Sequence, residues 1–387
     1  MATPGMVASV EWTDGKRYLW MLGALTITLP IIAAVSALAT GWHPLWWAGP
    51  FIVFTIIPAL DFLIGDDRDN PPEEAVPTLE KQRYYRRIVY LATTVLYVSF
   101  AVAMWVLRTY ELAWYDYIAF AFSVGVVTGI SINTAHELGH KTDGFERWLA
   151  KITLAPVAYG HFFVEHNRGH HVRVATPADP ASARYGESFW AFLPRTVVGS
   201  VKSAWALEKR RLELHGHSVW SWRNDVLNAW AMTVVLWGVC IAFVGSKAVP
   251  FLIIQAIYGA SLLEVVNYLE HYGLCRQQLP SGRYERCAPQ HSWNSNHVVT
   301  NLFLYQLQRH ADHHANPTRS FQALRHFEHS PQLPAGYAAM ILIAYVPPLW
   351  FRVMNPRVVA HYNGALSLAN IKPSIRDKVL AQYPARP

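Results

Sequence analysis

Long apolar runs alternate with polar stretches along this chain, and six of the runs have the length that a lipid bilayer demands. They are Leu19 to Thr40, Pro44 to Ile64, Ile88 to Leu107, Tyr117 to Ala135, Val226 to Val244 and Val249 to Leu269. At about 1.5 Å of rise per residue, about 20 apolar residues cross the roughly 30 Å of hydrocarbon in a membrane. Gly41-Trp42-His43 divides the first run from the second, and a polar loop from Gly65 to Pro72 follows the second. Two further runs are too short to cross. Ile152 to Phe163 interrupts a polar stretch and reads as re-entrant or interfacial. Ala335 to Val346 stops at Pro347-Pro348 and reads as an interfacial or buried cytosolic helix. The pattern predicts an all-α integral membrane protein with six transmembrane helices. A histidine-rich helical cap, from residues 136–225 and 270–387, completes a single domain over 1–387. No internal repeat or low-complexity tract divides it.

Composition agrees with a largely non-aqueous environment. Hydrophobic residues make up 52% and charged residues 15%, with 16 tryptophans, whereas soluble domains average about 25% charged. The first 18 residues are polar and lack the small-residue cleavage site of a signal peptide. Lys16 and Arg17 precede the first run, and Lys81, Arg83, Arg86 and Arg87 precede the third; the opposite loops carry Arg108 and Lys247. The positive-inside rule then puts both termini and the long central segment in the cytoplasm. The net charge of +7 is spread over loops and tail without a nucleic-acid-binding motif, so no nucleic-acid partner is expected. Cys240, Cys275 and Cys287 form no C-x-x-C pair, which excludes a zinc ribbon and a fused rubredoxin.

Nine of the 18 histidines gather in four clusters, all beside apolar runs and all on the cytoplasmic side of this topology. His136 and His140 are one helical turn apart, as are His166 and His170, with His171 adjacent; His271 ends the sixth run, and His310, His313 and His314 follow. Residues three or four apart share a helix face. Repeated histidine faces on several helices are the raw material of a polynuclear metal cage, because imidazole suits iron, zinc and copper. The first cluster also fits H-E-x-x-H, in which Glu137 would be the general base of an intramembrane zinc protease. Such an enzyme uses one zinc and about three protein ligands, which leaves most of these histidines unexplained. A metal transporter would place its ligands in the middle of the spans, not at their ends. Ligating histidines usually hand their second N–H to an oxygen. Glu264 and Asn267 share a face with His271, and Asp61 is a costly acid within a span; with Asp312 and Glu137 they are the candidates for supporting the cage.

The wording of the clusters carries a resemblance. HELGHK at 136–141, EHNRGHH at 165–171, NYLEHYGL at 267–274 and LQRHADHH at 307–314 resemble the alkane 1-monooxygenase family of membrane-bound desaturases and hydroxylases. So do LDFLIGDDRDNPPEE from Leu60, HSWNSNH from His291 and NPTRSFQALR from Asn316. The xylene monooxygenases share the HYG element and are the nearest alternative, ahead of fatty acyl desaturases and hydroxylases. The resemblance implies a bacterial inner-membrane enzyme with two non-haem iron ions held by His136, His140, His166, His170, His171, His271, His310, His313 and His314. It implies terminal hydroxylation of linear alkanes by O2, with electrons from rubredoxin that an NADH-dependent reductase has reduced. Rubredoxin would then bind in trans, and Lys209, Arg210 and Arg211 are candidate contacts for its acidic surface, or for lipid. Val53 corresponds to the position where a bulky aromatic is thought to block the substrate tunnel in some medium-chain members. A valine there predicts room for longer alkanes.

Overall fold

The computed structural model describes residues 12–384, and these are helical; strand-like contacts among them are isolated bridges such as Asp66 with His297. In chain order the helices are α1 (Met21–Thr26), α2 (Leu29–Thr40), α3 (His43–Ile64), α4 (Val76–Lys81), α5 (Arg83–Thr109) and α6 (Trp114–Gly139). Then come α7 (Gly144–Leu154), α8 (162–173), α9 (Phe189–Leu214), α10 (Asp225–Val244) and α11 (Ala248–His271). The chain closes with α12 (Val298–Phe303), α13 (His310–Ala315), α14 (Tyr337–Ala344), α15 (Pro347–His361) and α16 (Arg376–Gln382). Helices α3, α5, α6, α10 and α11 are each long and apolar enough to cross a membrane, so the protein is multi-pass. The ends of the chain, on which part of the topology expectation rests, lie outside the described residues.

The expected first span is not one helix. It breaks at Ile27-Thr28 into α1 and α2, and α2 alone has 12 residues, too few to cross at about 1.5 Å each. Pro30 supplies the reason: it lacks the N–H that would reach the Thr26 carbonyl, and its ring clashes with that same carbonyl. The late apolar run forms α14, which turns by 119° into α15. Helix α14 buries Tyr337, Met340 and Ile341 against the bundle, and the bent pair has the form of a broken span or a re-entrant loop.

The centre of the bundle is the pair α6 and α11, which pack along each other more extensively than any other two helices. Helix α6 is buried over most of its length, and its glycines explain the close approach. A Cβ on Gly125 would lie 2.9 Å from the Gln255 carbonyl oxygen, and one on Gly129 would lie 2.9 Å from that of Gly259. Small residues four apart let backbones touch in lipid, where dispersion must replace the hydrophobic effect. The two pairings run in the same direction along both helices, so α6 and α11 are parallel. Their shared register brings His136 and His140 level with His271 at one end of the bundle. Gly129→Leu should therefore force the two helices apart at a cost of about 1–3 kcal/mol. Thermal unfolding of the purified variant, with its metal content measured in parallel, is expected to show both reduced.

Candidate metal centre

Four pieces of chain converge where α6 and α11 end. Helix α6 carries His136 in its last turn, and His140 follows at its C-cap. Helix α8 carries His166, His170 and His171; α11 ends on His271; and α13 carries His310, His313 and His314. The structure sorts all nine side chains into two groups. His136, His140, His166, His171 and His313 form the first, and His170, His271, His310 and His314 the second; within each group the nitrogens lie within 4.8 Å of one another.

The sorting corrects one inference from spacing. His310 and His314, four apart on an α-helix, do share a group, whereas His166 and His170 do not. Residues Glu165–His170 form a π-helix, in which the repeat stretches from four residues to five. The partner of His166 is therefore His171, at 3.0 Å between Nε2 atoms. His170 points to the other group.

The donor set fits metal ions. In the first group the Nε2 contacts run His136 to His313 at 2.9 Å, His313 to His171 at 3.0 Å, His171 to His166 at 3.0 Å and His166 to His140 at 3.1 Å. A ring nitrogen has either one hydrogen or one in-plane lone pair, so it makes one good hydrogen bond. Five nitrogens joined by four such contacts exceed that capacity. Lone pairs directed at a shared cation satisfy all of them. In the second group His310 Nε2 lies 3.2 Å from His271 Nε2 and 2.8 Å from His314 Nε2, while the buried His170 Nε2 has no hydrogen-bond partner. Burial, reinforced by neighbouring imidazoles, pushes His140, His166, His171, His310, His313 and His314 well below the usual histidine range. They are neutral at physiological pH, the form that binds metal.

The carboxylates nearest the cage are not those expected from spacing. Asp179 Oδ2 lies 3.0 Å from His170 Nδ1, and the His291 carbonyl lies 3.2 Å from His271 Nδ1, so both orient ring nitrogens from behind. Glu270 places Oε2 3.2 Å from His310 Nε2 and accepts a hydrogen bond from Tyr337 at 3.0 Å. The one available sequence signal for Glu270 was an acid adjoining His271 in an apolar run; Asp179 sits in a loop without periodicity, and a backbone carbonyl leaves no signal at all. Glu137 pairs with Lys141 at 2.7 Å and accepts from the Phe321 amide. That engagement removes it from the role a protease would need. Asp312, fully buried, accepts from Asn316, Arg319 and the Arg325 amide, and so anchors α13. Glu264 accepts from Tyr159 at 2.6 Å, Thr196 at 2.8 Å and Asn267 at 3.3 Å.

An apolar cavity of about 70 Å³ lies between α3, α6, α11, α12 and α14. Val53 and Phe54 line it from a π-helical turn in α3, so Val53 faces the interior and not lipid. The cavity reaches Asn133, one helical turn before His136, and Leu307, three residues before His310 in the turn that leads into α13. Its two polar side chains are already engaged. Asn133 donates to the Leu304 carbonyl at 2.6 Å, and the Thr300 hydroxyl donates to Asp61, which also receives the Thr300 amide at 3.0 Å. Asp61 thus touches no histidine; it caps α12 and removes a free hydroxyl from the cavity wall.

A family model described as fatty acid desaturase matches residues 112–344. The alkane 1-monooxygenase of Pseudomonas putida is 46% identical over 96% of this chain and 93% of that protein. The alkane 1-monooxygenase of Acinetobacter baylyi is 46% identical over 97% of this chain and 93% of its own length. The chain belongs to the alkane 1-monooxygenase family. The xylene/toluene monooxygenase hydroxylase component of Pseudomonas putida is more distant, at 26% identity over 60% of this chain. For this alkane 1-monooxygenase family member the two histidine groups are the metal-binding candidates, and their supports can be tested one at a time. Asp179→Asn should weaken metal binding about 10–100-fold, with the loss confined to one of two ions in a titration of the apoprotein.

Proposed function

We propose that the chain hydroxylates the terminal carbon of linear alkanes, using O2 and electrons delivered by rubredoxin, at two iron ions held by the nine histidines. The observation that supports this reading best is the apolar cavity whose lining includes Asn133 and Leu307, each three residues from a histidine of one of the two groups. When bound, the iron ions would supply the activation of O2 that lets an unactivated C–H bond be oxidised. The protein's own residues do the rest. Nine imidazoles leave the charge of two divalent cations uncompensated; Asp179 is a buried carboxylate beside the second group, and the buried Glu270 carboxyl lies next to His310. An alkane has no polar handle, so position must come from shape. Val53, Ile57, Leu262 and Ile341 bound a passage in which Asp61 and the Leu304 carbonyl silence the two polar side chains. A chain entering end-on would present its methyl group first, which accounts for terminal attack despite stronger primary C–H bonds.

Reduction of the site is proposed to come from rubredoxin at the cytoplasmic face of a bacterial inner membrane, with an NADH-dependent reductase upstream. Of the three basic residues considered as contacts, Arg211 is held by Glu208 at 2.7 Å and by the Arg223 carbonyl, and Lys209 lies 3.8 Å from Glu213. Arg210 is exposed and has no ion pair among the described residues, which makes it the strongest of the three.

Metal analysis of the purified protein, joined to an octane and hexadecane assay with rubredoxin and its reductase, tests the reading. Two irons per chain and a 1-alkanol product are expected; a single zinc without oxygen consumption would refute it. Val53→Trp should narrow the passage and lower turnover of hexadecane about tenfold or more relative to octane. A chain-length profile unchanged from the parent protein would remove Val53 from the cavity's selectivity.

A further inference from the structure

A second cavity lies across α11 from the first. It is an apolar groove of about 510 Å³ between α9, α10 and α11, with Leu193, Trp230, Trp237 and Ile257 among its walls. Ile257 is 66% exposed and Ile253 43%, so the groove opens at the surface that the spans present to lipid. Tyr159 and His161 form part of its wall, and on their other side they line a void of about 10 Å³, room for a single water, beside His166 and His170. Glu264 and Asn267 belong to this inner cavity. Tyr159 and His161 therefore stand between the open apolar groove and the polar residues beside both histidine groups.

At the polar end His161 Nε2, Glu165 Oε2 and His170 Nε2 are buried without a hydrogen-bond partner, and of these three residues His161 alone also lines the groove. Glu264 is satisfied by Tyr159, Thr196 and Asn267. His161 is 4% exposed, its ring packs edge-on against Tyr159 at 4.3 Å, and its Nε2 has no partner. Burial pushes the His161 imidazole down to about 4, so it is neutral and offers one hydrogen-bonding position to an uncharged guest. An unsatisfied buried polar atom costs about 1–3 kcal/mol, a cost that a hydroxyl group would remove and a hydrocarbon would not.

We propose that this groove is a separate passage for the product: a primary alcohol leaves the metal centre with its hydroxyl on His161 and its aliphatic chain between α9, α10 and α11. The inference rests on the hydroxylase reading, because that reading supplies a guest with one polar end and one long apolar chain. The two cavities then divide the traffic by chemistry. The walls near Val53 have no free polar side chain and suit the alkane, whereas the groove has a hydrogen-bonding position at its inner end and suits the alcohol. The emerging chain would be released sideways into the membrane.

Photolabelling tests this without turnover. The full-length, metal-loaded protein in lipid nanodiscs would be exposed to a long-chain primary alcohol with a mid-chain diazirine, and separately to the matching hydrocarbon. Mass spectrometry should find the alcohol attached to α10 and α11 around Trp230 and Ile257, and the hydrocarbon attached around Val53. His161→Phe should reduce alcohol labelling of the groove about tenfold, as for loss of one hydrogen bond, with hydrocarbon labelling near Val53 retained as the check on folding. Ala260→Phe, which fills the groove from α11, should abolish the same labelling by a different route. Equal labelling of the groove by both probes would mark it as a site for lipid chains, and labelling indifferent to His161→Phe would remove the hydroxyl contact; either result overturns the proposal. If the alcohol labels the groove as expected while the purified protein forms no 1-alkanol, the hydroxylase reading falls and the alcohol site stands.

Discussion

Nine imidazoles gathered at one end of a helical bundle impose the condition that the rest of this structure meets. Their nitrogens stand about as far apart as hydrogen-bonded atoms, yet they have too few hydrogens and lone pairs to satisfy one another. Only cations reconcile them. Without metal, the convergence concentrates polar, water-deprived nitrogens in a buried site, so apoprotein and holoprotein must differ in stability as well as activity. The buried Asp179 carboxylate fits the same condition, since cations in a dry site need compensation.

Holding four separate segments to one point is the work of the surrounding helices. The parallel contact of α6 and α11, made close by Gly125, Gly129 and Gly259, sets His136, His140 and His271 at a common height. Two buried ionic knots fix the other two segments. Arg168 of α8 bonds to Glu208 and to Asp225, tying α8 to α9 and α10, and Asp312 with Arg319 tethers α13 to the chain that follows it. These pairs have partners on several elements, so losing one would misplace histidines it never touches.

Much of this was legible in the sequence because it depends on periodicity. Apolar runs marked α3, α5, α6, α10 and α11, and four-residue spacing matched His136 with His140 and His310 with His314. What was not legible depends on the backbone departing from its usual repeat, or on contacts distant in sequence. Pro30 was visible, but an apolar run hides the helix break it causes. The five-residue turn at Glu165–His170 leaves no compositional mark, so His166 was matched with the wrong neighbour. Asp61, chosen as a costly acid in a span, proved to be engaged by Thr300, some 239 residues away, a partner that spacing does not disclose. Glu137 illustrates the converse hazard, in which a short motif suggests chemistry that Lys141 and Phe321 already preclude.

The π-helical turn at Glu165–His170 also bears on how such a protein can change over generations. A surface loop absorbs the gain or loss of a residue with little effect, since it has slack. This turn has none. Removing one residue would restore the ordinary four-residue repeat and rotate every later side chain by about 100°, so that His170 and His171 would no longer face the groups they serve. Substitution can drift across most of the membrane-facing surface, but the interval from His166 to His171 behaves like a ratchet tooth that must keep its length as well as its histidines.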